Sequence, residues 1–323
     1  LPGLDGLRAV AVSLVFFQHF YQFPKDQSVL HRVSDQGGFG VEIFFVLSGF
    51  LITYLVLREE RGTGSISLKL FYARRALRIL PPLVLFLFAI SLGTTLGVIN
   101  VPAADIAASL CFLRNYVGDS PETGHLWTLA IEEQFYLIWP ITLIVVKSFH
   151  LRLFIGSAII VLTPFWTYVY IQKIGHGQPF NSWRTDLRFS PLAVGGLLAL
   201  LLTNTTGARI LTSRIVCNFY LCVGAIAFIS LNLLTDVFNM PVVKGFRSTF
   251  NTIAVALIIN CLIHGRAWMI GSVMESRIFI WVGTLSYSLY LWQQPFAPNL
   301  PRSTLTWYKQ FPVGLTWAPP TAR

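Results

Sequence analysis

Leu7-Arg-Ala-Val-Ala-Val-Ser-Leu-Val-Phe-Phe-Gln-His-Phe-Tyr-Gln-Phe23 decides how this chain is read. It is an apolar run close to the roughly 20 residues that a helix needs to cross a bilayer. Two ionisable residues interrupt it, Arg8 and His19. On an α-helix that separation is about three full turns and roughly 16 Å of rise, so both lie on one face. The arginine then sits at one membrane surface and the histidine about half a bilayer deeper. Ionisable groups inside a membrane cost several kcal/mol and usually face a polar interior where they have a task. The plainer alternative leaves each near one of the two interfaces.

The same character runs through the 323 residues, of which 54% are hydrophobic and 12% charged. Soluble domains carry about twice that charge. Further apolar stretches cover Val41–Leu57, Ile79–Val98, Leu126–Val146, Leu153–Ile171, Leu187–Leu202, Ile215–Leu234, Thr249–His264 and Ile278–Phe296. The expectation is an all-α, polytopic transmembrane helical bundle of about nine or ten spans, forming one domain over residues 1–296. A Pro-rich tail, 297–323, follows it.

The net charge of +10 does not point to nucleic acid, because the basic residues flank the spans. Arg58, Arg61, Lys69, Arg74, Arg75 and Arg78 fall in one loop after the second span. The positive-inside rule makes that loop, and the N-terminus, cytoplasmic. Cys111, Cys217, Cys222 and Cys261 show no metal or redox spacing, and no metal is expected. The chain lacks an initiator Met and a cleavage site after its first span, so that span is expected to be retained.

Several polar residues are candidates for chemistry. Ser48 and Gly49 lie mid-span and would let another helix approach closely. Arg74, Arg75 and Arg78 precede Pro81 and Pro82. At spacings of three and four they share a helix face, and their planar forks suit phosphate. The bland reading is a topology anchor on anionic lipid. Glu132 and Glu133 fall inside the apolar helix Gly124-His-Leu-Trp-Thr-Leu-Ala-Ile-Glu-Glu-Gln-Phe-Tyr136. At least one should face the bundle interior, paired with Arg or His. Arg184 and Asp186 precede the sixth span, and Ser286, Tyr290 and Gln293 make a polar stripe on the ninth.

Taken in order, these stretches resemble the acyltransferase 3 family of integral-membrane acyltransferases. The likeness rests on Leu4-Asp-Gly-Leu-Arg-Ala with His19, Phe44-Phe-Val-Leu-Ser-Gly-Phe-Leu, Phe71-Tyr-Ala-Arg-Arg-Ala-Leu-Arg-Ile, His125 to Tyr136, Arg184-Thr-Asp, and Leu285-Ser-Tyr-Ser-Leu-Tyr-Leu-Trp. The resemblance implies transfer of an acyl group, most often acetyl, from acyl-CoA to a hydroxyl of a cell-envelope or secreted glycan or glycolipid. It implies a protein of the bacterial inner membrane, with the bilayer as partner. Arg8 and His19 match the family's essential pair, with His19 as base and Glu132 or Glu133 orienting it or pairing with an arginine. Arg75 and Arg78, with Arg74 beside them, match its cytoplasmic arginine motif and would hold donor phosphates. Ser48, Tyr136, Arg184 and Asp186 would line or support the acceptor side.

Two features depart from the family pattern. Gln293 stands where many relatives carry histidine, and Ala297–Arg323 holds five prolines and no spanning run. The latter leaves an inactive, truncated relative as a reading. A rival from another class is a transporter or flippase of a glycan or lipid precursor, although no inverted repeat is visible.

Overall fold

The computed structural model describes residues 2–20, 37–174, 183–213, 215–234, 241–265 and 268–297. All regular structure among them is helical. Tyr21–Phe23 of the first apolar run and the Pro-rich tail from Pro298 lie outside the described residues.

Helix α1 (Pro2–Phe20) packs along α2 (Gly38–Thr63) and α13 (Arg277–Trp292). α2 ends where Gly64 turns left-handed, φ 73°, and its amide bonds the Glu60 carbonyl at 2.9 Å, a common helix stop. Ser67 then caps α3 (Leu68–Thr95), accepting from the Leu70 amide at 3.4 Å. The sequence reading put the arginines in a loop before a span beginning near Pro81. The structure corrects this: they occupy the first half of one 28-residue helix that runs through Pro81 and Pro82. Proline removes a helix donor, but membrane helices tolerate this where neighbours supply polar partners. Here the Tyr287 hydroxyl of α13 donates to the nearby Ile79 carbonyl at 3.1 Å.

The remaining helices are α4 (Ala103–Leu110), α5 (Pro121–Gly124), α6 (Trp127–Val145), α7 (Phe149–Ile174), α8 (Phe189–Thr203), α9 (Thr205–Leu211), α10 (Phe219–Leu234), α11 (Pro241–Ile263) and α12 (Trp268–Met274). Short 3₁₀ turns lie at Thr185–Leu187 and Gln294–Phe296. The most extensive packing is α2 on α8. A Cβ on Gly49 would strike the Leu192 carbonyl, and one on Gly195 would strike that of Val46. The two glycines therefore let the backbones touch, the close approach expected of Gly49.

Buried apolar side chains fill the interior in three groups. Leu4, Val46, Leu47 and Ile259 join α1, α2 and α11. Phe45, Phe135, Tyr136 and Trp139 stack between α2 and α6. Leu83, Phe86, Leu126 and Leu291 tie α3 to α6 and α13. Outward faces carry exposed Leu85 and Phe88 on α3 and Phe154, Leu162 and Phe165 on α7, as lipid contact requires.

Among the described residues, five helices are long and apolar enough to cross a membrane: Gly38–Thr63, Leu68–Thr95, Pro121–Val145, Phe149–Tyr170 and Phe246–Ile263. α8 and α9 pass the same test only when taken together, and they are bent by 107° at Asn204, whose side chain caps α9; they make a sixth span if the pair is one broken span and not a re-entrant loop. The nine or ten spans of the sequence reading are thus supported for five or six. α10 and α13 have 16 residues each, about 24 Å of helix against a hydrocarbon core of about 30 Å. α1 is diluted by Asp5, Arg8, Gln18 and His19.

One end of the bundle carries a belt of ion pairs. Arg152, 7% exposed, reaches both oxygens of Glu60 at 2.9 Å, and Arg74 pairs with Glu59 at 3.1 Å. Arg152 thus ties the first turn of α7 to α2 and, through the Val146 carbonyl at 2.6 Å, to the end of α6.

Candidate functional site

α1, α2, α3, α6 and α13 enclose a cavity of about 230 Å³. Arg8, Arg75 and Arg78 line it together with Ser48, Glu132 and Tyr136, and Ser286, Tyr287, Thr128 and Tyr290 complete its polar wall. Leu51, Ile52, Leu55 and Leu129 supply apolar lining. This volume is below the roughly 300–1,000 Å³ that encloses a drug-sized ligand.

The polar groups are held in fixed arrangements. Both oxygens of Glu132 accept hydroxyls, from Ser48 at 3.1 Å and Tyr136 at 3.0 Å. Glu133 pairs with Arg75 Nε at 3.2 Å, and the Arg75 guanidinium lies 3.3 Å over the Tyr136 ring. The adjacent carboxylates thus divide the work: Glu132 gathers hydroxyls and Glu133 fixes an arginine. Arg8 pairs with Asp5, one turn away. Arg78 feels the charges of Arg8 and Arg75 and makes no ion pair among the described residues. Arg78 is thus the guanidinium on this lining without a carboxylate partner among the described residues, which suits an anionic group.

His19 lies on the last turn of α1 and does not line this cavity. Its Nδ1 is 2.8 Å from the Val15 carbonyl. A carbonyl oxygen only accepts, so Nδ1 carries the proton and the lone pair of the neutral ring sits on Nε2. Backbone, rather than either glutamate, orients this ring. His19 is near enough to His125 for their charges to interact.

Other sequence candidates lie elsewhere. Arg74 is held outward by Glu59, with its side chain 62% exposed. Arg184 and Asp186 form a two-point pair at 3.0 and 2.9 Å, with Trp166 donating to Asp186 at 2.8 Å. Burial raises the Asp186 pKa, but these bonds outweigh it and hold the carboxyl below its ordinary 3.8. The pair braces α7 against the turn before α8 and is not part of the cavity lining.

Sequence reasoning missed a hydroxyl knot. Tyr290 and Thr128 meet at 2.8 Å, and both reach the His125 carbonyl, at 3.0 and 3.1 Å. Tyr290 stood on the polar stripe of the ninth apolar stretch, but nothing at Thr128 marked it. Nothing in the sequence singled out Glu122 or the Arg114–Asp105 pair.

A family model described as an acyltransferase domain, acyltransferase 3, matches residues 1–314. The chain belongs to the acyltransferase 3 family. It is 31% identical over 320 residues to a Staphylococcus aureus (strain COL) protein named "Putative O-acetyltransferase", covering 90% of this chain and 50% of that one. It is 29% identical over 318 residues to the peptidoglycan O-acetyltransferase of Listeria monocytogenes, covering 91% and 49%. The chain spans about half the length of these curated relatives. No solved structure matches it.

Proposed function

We propose that the chain is a membrane O-acetyltransferase that moves acetyl from acetyl-CoA to a hydroxyl of a cell-envelope glycan such as peptidoglycan. The observation that carries this reading is the single cavity joining three arginines to a hydroxyl and carboxylate cluster inside an apolar bundle. Its volume suits a thioester arm. The phosphates of the donor would stay at Arg75 and Arg78, beside Arg8, while the arm reaches past Ser48 and Glu132 toward His19.

In the transfer, the acceptor hydroxyl oxygen attacks the thioester carbonyl as His19 Nε2 takes its proton. The carbon–sulfur bond breaks and the departing thiolate gains a proton to leave as free coenzyme A. Glu132 keeps the Ser48 and Tyr136 hydroxyls in register, and Glu133 holds Arg75. The N-terminus and the arginine end face the bacterial cytoplasm, where acyl-CoA is made, and the acceptor approaches from the other side of the inner membrane.

The test is labelled acetyl-CoA with purified full chain in detergent and a soluble peptidoglycan fragment. The reading expects acetyl ester on the glycan and free coenzyme A in equal amounts. Intact thioester after prolonged incubation would remove it.

A further inference from the structure

Among the described residues, six of the eight buried polar atoms without a hydrogen-bond partner belong to two short segments, 122–125 and 293–294, and the other two are Oδ1 of Asn232 and of Asn260. Both carboxylate oxygens of Glu122, Nδ1 of His125, both amide atoms of Gln293 and Oε1 of Gln294 are buried without a hydrogen-bond partner. Glu122 is 0% exposed, Gln293 2% and His125 5%. Their segments meet: α5, which carries Glu122, packs on the 3₁₀ turn that starts at Gln294, and His125 Nε2 donates to the Leu291 carbonyl at 3.0 Å. That bond leaves Nδ1 of a neutral His125 as an acceptor. Tyr290, edge-on to the His125 ring, and Leu291 both line the cavity, so the junction adjoins the cavity wall, and His19 lies within charge range.

Leaving one buried polar group unpaired costs about 1–3 kcal/mol, so six such atoms on two segments that pack on each other mark a junction where polar partners would bind favourably. Five of the six are acceptors when Glu122 is ionised, and the Gln293 amide nitrogen is the donor. The matching ligand therefore presents several O–H donors and a few oxygen acceptors. Among the described residues no third His, Cys, Asp or Glu joins Glu122 and His125 to complete a metal site. We infer that the Glu122–His125–Gln293 junction binds a sugar ring, the acceptor glycan, through its hydroxyls. This deepens the proposed O-acetyltransferase reading and rests on it only for the word acceptor. It puts the ring at the His19 end, with the arginines at the far end of the cavity. The orphan atoms are enclosed, so the ring enters by parting α5 from the turn Gln294–Phe296.

The test reads binding without turnover. In full chain with the exposed Cys111 replaced (Cys111→Ser), the partly exposed Gln294 is changed to cysteine (Gln294→Cys) and its maleimide labelling rate is followed in detergent. The probe is a soluble peptidoglycan disaccharide, without acetyl-CoA. At ten times its Kd the glycan should slow labelling by about tenfold. Glu122→Gln, which removes a charge-assisted contact, should raise that Kd by about tenfold and cut the protection to about twofold at the same glycan concentration. Gln293→Ala serves the same purpose if Glu122→Gln fails to fold by circular dichroism. An unchanged labelling rate with glycan, or protection that survives both substitutions, overturns the inference. Protection together with absent acetyl transfer would remove the proposed reaction and leave the sugar site standing.

Discussion

Arg75 and Arg78 sit one helical turn apart but in different company, and mutation can separate their roles. Arg78 lines the cavity without an ion pair among the described residues, so Arg78→Gln should weaken acetyl-CoA binding by about 10- to 150-fold, the loss of one charge-assisted contact of about 1.5–3 kcal/mol. Its thermal unfolding should be unchanged. Arg75→Gln should lose affinity and stability together, because Glu133, 17% exposed, is left without its cation. Breaking a buried pair costs about 3–5 kcal/mol, and this partly buried one belongs toward the low end. Calorimetric titration with unfolding curves checks both, and equal affinity in Arg78→Gln would reduce that residue to a topology anchor. His19→Ala should leave a folded protein that transfers no acetyl, whereas exposed His150→Ala should be silent. Arg8, Arg75, Arg78, Glu132 and Glu133 were legible in the sequence because charge inside apolar helix is expensive and so stands out. Thr128, His125 and Glu122 were not, since their meaning depends on α13 folding back across α6.

At the scale of elements, the α2–α8 crossing has no room for a methyl group at Gly49. Gly49→Ala should destabilise by about 1–3 kcal/mol. Gly62→Ala, in the same helix with nothing within 4 Å, should be neutral or slightly stabilising. Equal unfolding midpoints for the two would mean the helices part easily. The extramembrane α4 is tethered by Asp105, which accepts the Ser120 amide at 2.7 Å and pairs with Arg114 at 3.4 Å. Burial raises the Asp105 pKa, but the Ser120 bonds and the Arg114 charge outweigh it and leave it below its ordinary 3.8. A depressed folded pKa means the contribution is complete above 3.8 and disappears as pH falls through the lower folded value. Amide exchange across Ala103–Leu110 should therefore accelerate only below 3.8, and Asp105→Asn should remove that pH dependence. Helices were legible as apolar runs, but their ends were not: Pro81 and Pro82 read as a start although Ser67 is the cap. Composition also marked α13 as a span without showing that its 16-residue helix falls short of a bilayer.

For the whole molecule, the arrangement separates two chemistries by the length of α1, roughly 16 Å from Arg8 to His19. In the proposed arrangement the donor phosphates are held at the arginine end, and the proposed sugar junction and histidine base lie at the other. A cysteine at position 75 should react with a membrane-impermeant reagent only from the cytoplasmic side, and one at Phe20 only from outside. Reaction of both from one face would reverse the proposed path. The most direct measurement places the full chain in sealed vesicles, with labelled acetyl-CoA outside and a soluble peptidoglycan fragment trapped within. The account predicts labelled ester on the trapped glycan for the wild type and none for His19→Ala or Arg78→Gln at low donor concentration. Ester formed only on glycan supplied on the same side as acetyl-CoA would contradict it.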